Sequence, residues 1–267
     1  MIPNLLSIAG SDPSGGAGIQ ADLKTFAALH CHGMAVVTAL TAQNTRGVRA
    51  LHLPPAEFVG AEIDAIFEDI DVAAVKIGML GSGAIVEAVA RRLAVHKPGF
   101  IVLDPVLAAT SGDALTIDDV GAAIVRHLFP LADLVTPNLA EASQLTGRAI
   151  QDDEAGLRAG AELLLARGAK AALVKGGHGQ GATADDLFYN GIVHKLFSAP
   201  RIATRNTHGT GCTLSSAIAA YLAHGLALAD AIGAAKTYLT GALAAADELN
   251  VGQGHGPAHH FHELWRR

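Results

Sequence analysis

Aromatic side chains, cysteine and basic charge are all scarce in this sequence, and each scarcity narrows what the protein can be. Aromatics form only 4% of the 267 residues although half are hydrophobic, and 30 glycines accompany them. So many small residues suit close helix-on-sheet packing and sites lined by backbone. The formal net charge of −6 gives no basic footprint for nucleic acid or an anionic membrane. The two cysteines, Cys31 and Cys212, lie far apart without CxxC or metal-ligand spacing, so a reduced, cytoplasmic protein is the expectation. No uncharged run reaches the ~20 apolar residues of a membrane span. The opening residues, Met1 to Ser7, lack the basic start and apolar stretch of a signal peptide.

What is present is alternation. Short apolar runs at Leu5–Ala9, Met34–Leu40, Ala73–Ile77, Phe100–Leu103, Leu134–Thr136 and Ala171–Lys175 read as strands. Helical periodicity fills the intervals at Gly18–His30, Pro55–Glu68, Ala84–His96, Asp118–Leu128, Leu139–Leu145 and Asp153–Arg167. Strands and helices in this order predict an α/β domain with a mostly parallel sheet covered on both faces. Asp185–Tyr189 and Ile192–Phe197 flank Asn190-Gly191 and read as an antiparallel hairpin. Two Ala-rich helices, Gly211–His224 and Leu228–Leu249, close the pattern, and no linker or repeat divides residues 1–267. In such sheets ligands bind beyond the carboxyl ends of the strands, which is where the glycine-rich segments fall.

Two of these segments bear on function. Ser11-Asp12-Pro13-Ser14-Gly15-Gly16-Ala17-Gly18 joins the first strand to a helix, and its backbone can approach an anion or a ring. It has no Gly-Lys-Ser/Thr ending, and Thr38 stands where a Rossmann fingerprint would place an acid. A plain glycine-rich turn is the other reading. In Asn206-Thr207-His208-Gly209-Thr210-Gly211-Cys212, small residues precede an Ala-rich helix. That arrangement gathers free N–H groups and a positive helix end at one point, which suits a phosphoryl group in transfer. Cys212 falls in the first turn, where the same field lowers a thiol pKa. An inert core cysteine is the competing reading.

This second segment resembles the anion-hole motif of the ribokinase-like kinases, with Cys212 where most members carry an aspartate. Its form is similar to the branch of hydroxymethylpyrimidine and bacterial pyridoxal kinases. Ile8 to Asp22, Thr41 to Thr45, Lys76 to Leu80, Leu103 to Val106, Val135 to Glu141, Val174 to His178 and Gly254 to His262 follow the same family in order. The resemblance implies a ribokinase-like three-layer fold, ATP as co-substrate, Mg²⁺ and a homodimer. It also implies an acceptor pocket of Gly10, Asp22, Gln43, Met79 and Val106. Cys212, Gly209 and Gly211 become the catalytic group, and Lys175, Asn138 and Thr207 the nucleotide side. Glu141 and Asp104 become the metal side.

The residue chemistry agrees with these implied roles. Gln43 offers donor and acceptor to an aminopyrimidine edge, Asp22 can accept a hydrogen bond, and Met79 and Val106 give apolar contact. A Mg²⁺ site needs oxygen ligands and keeps waters that bridge to phosphate. Simpler roles compete: a helix cap for Asn138, a solvated face for Glu141, a snorkelling strand-end Lys175. Thr110 departs from the lysine more usual in the family's Lys-Ser-Gly-Asp segment. The histidine-rich tail, with His255, His259, His260 and His262, reads as a segment packed on the body rather than a metal site. The leading function is therefore a hydroxymethylpyrimidine kinase that also phosphorylates the monophosphate. Pyridoxal kinase and a non-catalytic vitamin- or nucleotide-binding protein are the alternatives, and the absent fingerprint argues against a nicotinamide dehydrogenase.

Overall fold

A computed structural model describes residues 1–108, 119–177 and 181–265. The expectations at Thr110 and His178 lie outside the described residues. The chain opens with β1 (Asn4–Ser11), α1 (Gly18–Ala28), β2 (His32–Asn44), β3 (Gly47–His52), α2 (Ala56–Phe67), β4 (Ala74–Ile77), α3 (Gly83–His96) and β5 (Phe100–Leu103). There follow α4 (Val120–His127), β6 (Leu134–Val135), α5 (Leu139–Thr146), α6 (Glu154–Ala166) and β7 (Ala172–Lys175). The hairpin β8 (Thr183–Tyr189) and β9 (His194–Pro200) precedes α7 (Thr210–Ala223) and α8 (Leu228–Ala244). One sheet runs in the order β3-β2-β1-β4-β5-β6-β7-β8-β9. Neighbours from β2 to β7 are parallel, while β3, β8 and β9 pair antiparallel.

Strand periodicity sorts the core into two layers. In β1, Leu6 and Ile8 join one cluster with α2 and α3, while Leu5 joins another with α1, α7 and α8. The same parity sends Val75 and Ile77 of β4 to the first face and Ala74 to the second. Helices therefore cover both faces, giving the three-layer, mostly parallel α/β sheet that the alternation implied. No helix among the described residues is long and apolar enough to cross a membrane.

Three local expectations are corrected. The edge strand β3 went unread because none of the six residues Gly47–His52 is buried, so it carries no alternating apolar signal. The hairpin turn spans residues 190–193 rather than two residues, because Asn190 Oδ1 accepts from the N–H groups of both Ile192 and Val193. The last long helix stops at Ala244, and a separate 3₁₀ turn covers Ala246–Glu248.

On the α1/α7 face a charged pair replaces apolar packing. Ser7 of β1 and Lys76 of β4 are directly paired in register, and both reach Asp22 on α1. Ser7 Oγ donates to Asp22 at 2.6 Å, and Lys76 Nζ donates to its two oxygens at 2.8 and 2.9 Å. Ser216 Oγ on α7 adds a further bond of 2.7 Å. Asp22 and Lys76 are wholly buried. Removing one member leaves the other charge stranded, so Lys76→Met should cost about 3–5 kcal/mol of stability. Urea denaturation of the variant measures this, and an unchanged midpoint would show that the pair stabilises nothing.

Candidate active site

The sheet order reverses between β1 and β4, and the glycine segments sit beyond the strand ends at that place. Asp12 organises the first segment. Its carboxylate accepts from Ser14 N–H and Ser14 Oγ, and from the N–H groups of Gly16 and Ala17. His208 Nε2 lies 2.7 Å from the same carboxylate. Burial alone would raise this carboxyl, but hydrogen bonds from His208 and Ser14 hold it down at about 2. The second segment packs directly on the first. Gly209 caps α7 with φ of 78°, and a Cβ there would fall 1.8 Å from the Gly16 carbonyl oxygen. Only glycine satisfies both the left-handed backbone and the contact. The Thr207 carbonyl accepts from Thr210 N–H, which closes the turn.

Charged groups gather against the start of α7. Asp104, just past β5, accepts from Lys175 Nζ at 2.7 Å and Thr136 Oγ1 at 3.1 Å. A Cβ on Gly211 would lie 3.2 Å from Lys175 Nζ and 3.3 Å from Asp104, so the helix start faces this pair at close range. Burial would lower the Lys175 pKa, but Asp104 and Glu141 raise it above the usual lysine value, keeping the ammonium charged. Asn138 and Glu141 form a reciprocal capping box at α5, each bonding the other's backbone N–H. The cap reading of Asn138 is thus realised, while the solvated reading of Glu141 is not, since that side chain is buried. Burial, reinforced by Asp104, pushes the Glu141 carboxyl up to about 7, against the pull of Lys175.

No group of three or more His, Cys, Asp or Glu side chains suited to a metal occurs among the described residues. Two hard carboxylates, Asp104 and Glu141, do stand close enough to act on one another. That donor set fits a cation that takes oxygen ligands and retains water.

Cys212 requires a correction. The helix start was expected to favour its thiolate, yet burial pushes the thiol up to about 11. Lys76 and the Gly18 N–H pull the other way, but Asp22 and Asp104 add to the rise. The thiol therefore keeps its proton at neutral pH.

At the acceptor end, Gly10 lets Met79 lie across β1, for a Cβ there would meet Met79 Cε at 3.0 Å. Met79 and Ala39 form a small apolar cluster with Val106, Val48, Leu51 and Leu53 around them. Gln43 Nε2 lies 3.3 Å from His208 Nε2. Because that ring nitrogen needs its hydrogen for Asp12, it accepts poorly from Gln43, whose Oε1 accepts from Thr41 Oγ1 at 3.2 Å. The structure brings Gly10, Met79 and Val106 together, while Gln43 stands beside His208. Asp22 stands apart from them, as its carboxylate is wholly buried and bonded to Ser7, Lys76 and Ser216. An acceptor contact for Asp22 finds no open surface here. Sequence reasoning missed Asp12, His208 and Lys76, although each sits inside a motif already singled out.

The tail packs on this end of the molecule. His255 N–H donates to Thr45, His208 N–H donates to Gly256, and His260 Nε2 lies 3.1 Å from Thr213 Oγ1. Burial lowers His260 to about 3, aided by Lys24, so it is neutral.

A doubly wound sheet whose glycine-rich α7 start faces the Lys175–Asp104 pair places the molecule among the ribokinase-like small-molecule kinases. Comparison with known proteins narrows the class: the chain belongs to the phosphomethylpyrimidine kinase family, whose model matches residues 12–259. It is 56% identical to the hydroxymethylpyrimidine/phosphomethylpyrimidine kinase of Rhizobium meliloti, over 98% of both chains. It is 48% identical to the thiamine biosynthesis bifunctional protein ThiED of Geobacter sulfurreducens, over 97% of this chain and 52% of that one. Among solved structures, pyridoxal kinase from Staphylococcus aureus in complex with AMP-PCP and pyridoxal superposes with a TM-score of 0.88 at 30% identity, covering 98% of this chain and 94% of that one.

A raised thiol has a direct signature. Alkylation of Cys212 by iodoacetamide should be slow near pH 7 and rise steeply above about pH 9, since the thiolate is the nucleophile. Mass spectrometry of the Cys212 peptide across pH follows the rate. Rapid labelling at neutral pH would show that the helix field wins over burial.

Proposed function

We propose that this chain is an ATP-dependent kinase that phosphorylates hydroxymethylpyrimidine and then its monophosphate, yielding the diphosphate for thiamin assembly. One observation carries the reading: the glycine-rich start of α7 lies against the Lys175–Asp104 pair, with Gly211 at close range to both. A site built only to bind would not need a transfer apparatus between the two ends. Family membership supports the same acceptor. Cytoplasmic location, a homodimer and a single domain over residues 1–267 belong to this proposal, as does the absence of nucleic-acid and membrane partners.

In the proposed reaction the acceptor's primary hydroxyl attacks the γ-phosphorus of ATP, the bond to the ADP oxygen breaks, and the hydroxyl proton leaves. Phosphoryl transfer demands positioning and charge neutralisation above all. The N–H groups at Gly209 to Gly211 and the Lys175 ammonium receive the transferring oxygens. Asp104 and Glu141, aided by Asn138, would hold Mg²⁺, which supplies charge neutralisation between the phosphates. Thr207 lies at the entrance to the anion turn on the nucleotide side. Gln43 reads the ring edge, while Met79 and Val106 contact its faces. Cys212 orients the hydroxyl, and the minority of molecules that hold it as a thiolate take the hydroxyl proton late. A loose transition state lets that proton leave after the phosphorus–oxygen bond is largely broken, so a strong resting base is unnecessary. Lys76 and the Gly18 N–H favour the thiolate that this role requires.

Mass analysis of products after incubation with Mg-ATP and each candidate alcohol tests the function. Equal or greater kcat/KM for pyridoxal would favour pyridoxal kinase instead, and no ATP consumption with either alcohol would favour a binding protein. Cys212→Ala should lower kcat by about 10²–10⁴-fold with ATP affinity nearly intact, and Cys212→Ser should do little better. Steady-state kinetics checks both, and near-normal kcat in the two variants removes Cys212 from the chemistry. Glu141→Gln keeps the shape but removes the charge. It should lower activity and raise the Mg²⁺ concentration for half-maximal rate; an unchanged Mg²⁺ titration would reduce Glu141 to a helix cap.

A further inference from the structure

The active-site lysine has a second carboxylate beside it. Lys175 of β7 is paired in antiparallel register with Asp186 of β8. Residues directly opposite in such a pair project from the same face of the sheet. Leu173 and Phe188, two residues away in each strand, belong to the core layer under α7 and α8, so Lys175 and Asp186 face those helices. Asp186 is buried, and burial raises its carboxyl against the opposing pull of Lys236 and Lys175. One oxygen accepts from the N–H of Gly176, the residue after Lys175. The other accepts from Lys236 Nζ, a buried ammonium on α8.

We propose that Lys236 is a positioning residue for phosphoryl transfer: by occupying Asp186 it leaves Lys175 on Asp104, at the start of α7. The Lys175 ammonium has three carboxylates within its electrostatic reach, Asp104, Glu141 and Asp186. Only the Asp104 position, bonded at 2.7 Å, lies against Gly211. Without Lys236, the buried Asp186 charge would lack its main cation and would draw Lys175 across the strand, away from the transferring group. The same carboxylate holds the Gly176 N–H, so a shift would also disturb the turn that leaves β7. Lys236 acts through Lys175 and touches no reacting atom.

This inference rests on the kinase reading, and the test separates the two. Kinetics on the full chain with Mg-ATP and hydroxymethylpyrimidine comes first; an inactive wild type fails the kinase reading, whatever the variants do. With an active wild type, Lys236→Met should lower kcat of the order of 10²-fold, measured per folded molecule below its melting temperature, with KM for the pyrimidine unchanged. Lys236→Arg should retain most of the rate. The double variant Lys236→Met with Asp186→Asn removes both charges and keeps an acceptor for Gly176 N–H, so it should recover most of kcat. A double variant as slow as the single one would mean that Lys236 meets the nucleotide itself, and the proposal fails. A Lys236→Met protein with normal kcat and only a lower melting temperature overturns it equally. Should that single variant not fold, the double variant alone decides: a rate near wild type upholds the proposal and a lost rate ends it.

Discussion

A row of alternating charges runs under α7, and each buried charge in it depends on its neighbours. From one side of the sheet to the other it passes through Asp22 on α1, Lys76 on β4, Asp104 after β5, Lys175 on β7, Asp186 on β8 and Lys236 on α8. Strand parity explains why these residues share a side, for Ala74, Val102, Leu173 and Phe188, each two residues away, all belong to the layer beneath α7 and α8. Each buried charge there has a neighbour of opposite sign. An isolated one would cost several kcal/mol, so no member can change partner without stranding another. That cost makes the arrangement rigid, and rigidity is what a reaction dominated by positioning requires.

The same row explains why the Cys212 thiol resists ionisation. Its thiol stands above the end of the row that holds Lys76, with Asp22 and Asp104 near enough to matter. Lys76 is held charged by Asp22, which overcomes the burial that would otherwise lower its pKa. The two carboxylates that keep Lys76 and Lys175 in place therefore work against the thiolate. An aspartate at this position would add a third carboxylate to the same neighbourhood. A thiol, neutral at rest, avoids that repulsion.

Much of this architecture was legible in the sequence because its signals are local. The buried parallel strands are short apolar runs, and Leu5–Ala9 and Phe100–Leu103 sit in the observed β1 and β5. The two glycine segments announce tight turns at strand ends, where the open sheet places ligands. What stayed hidden is non-local. Lys76 and Asp22 are 54 positions apart, and Asp12 meets His208 across 196, so no periodicity links them. The family resemblance grouped Asp22 with the acceptor pocket, but whether a carboxylate faces a ligand or a buried ammonium depends on packing. The sign of the Cys212 shift was hidden for a related reason: helix fields can be read from position, whereas burial and remote carboxylates cannot. β3 escaped because an edge strand with one neighbour needs no apolar face.

The contact between the two glycine segments joins the ends of the site mechanically. Gly209 meets the Gly16 carbonyl, and His208, its chain neighbour, bonds Asp12 in the opposite loop while lying beside Gln43. The tail reinforces this joint, since Gly256 accepts from His208 N–H and His255 donates to Thr45, close to Gln43 in β2. The Gln43 side chain is therefore in contact with the residue before the helix cap. Gln43, the Asp12 loop and the Gly209 turn are parts of one packed unit. The hydrogen bond between His208 and Asp12 carries that unit, because it crosses between the loops at the point where glycine backbone leaves no side chain to do so.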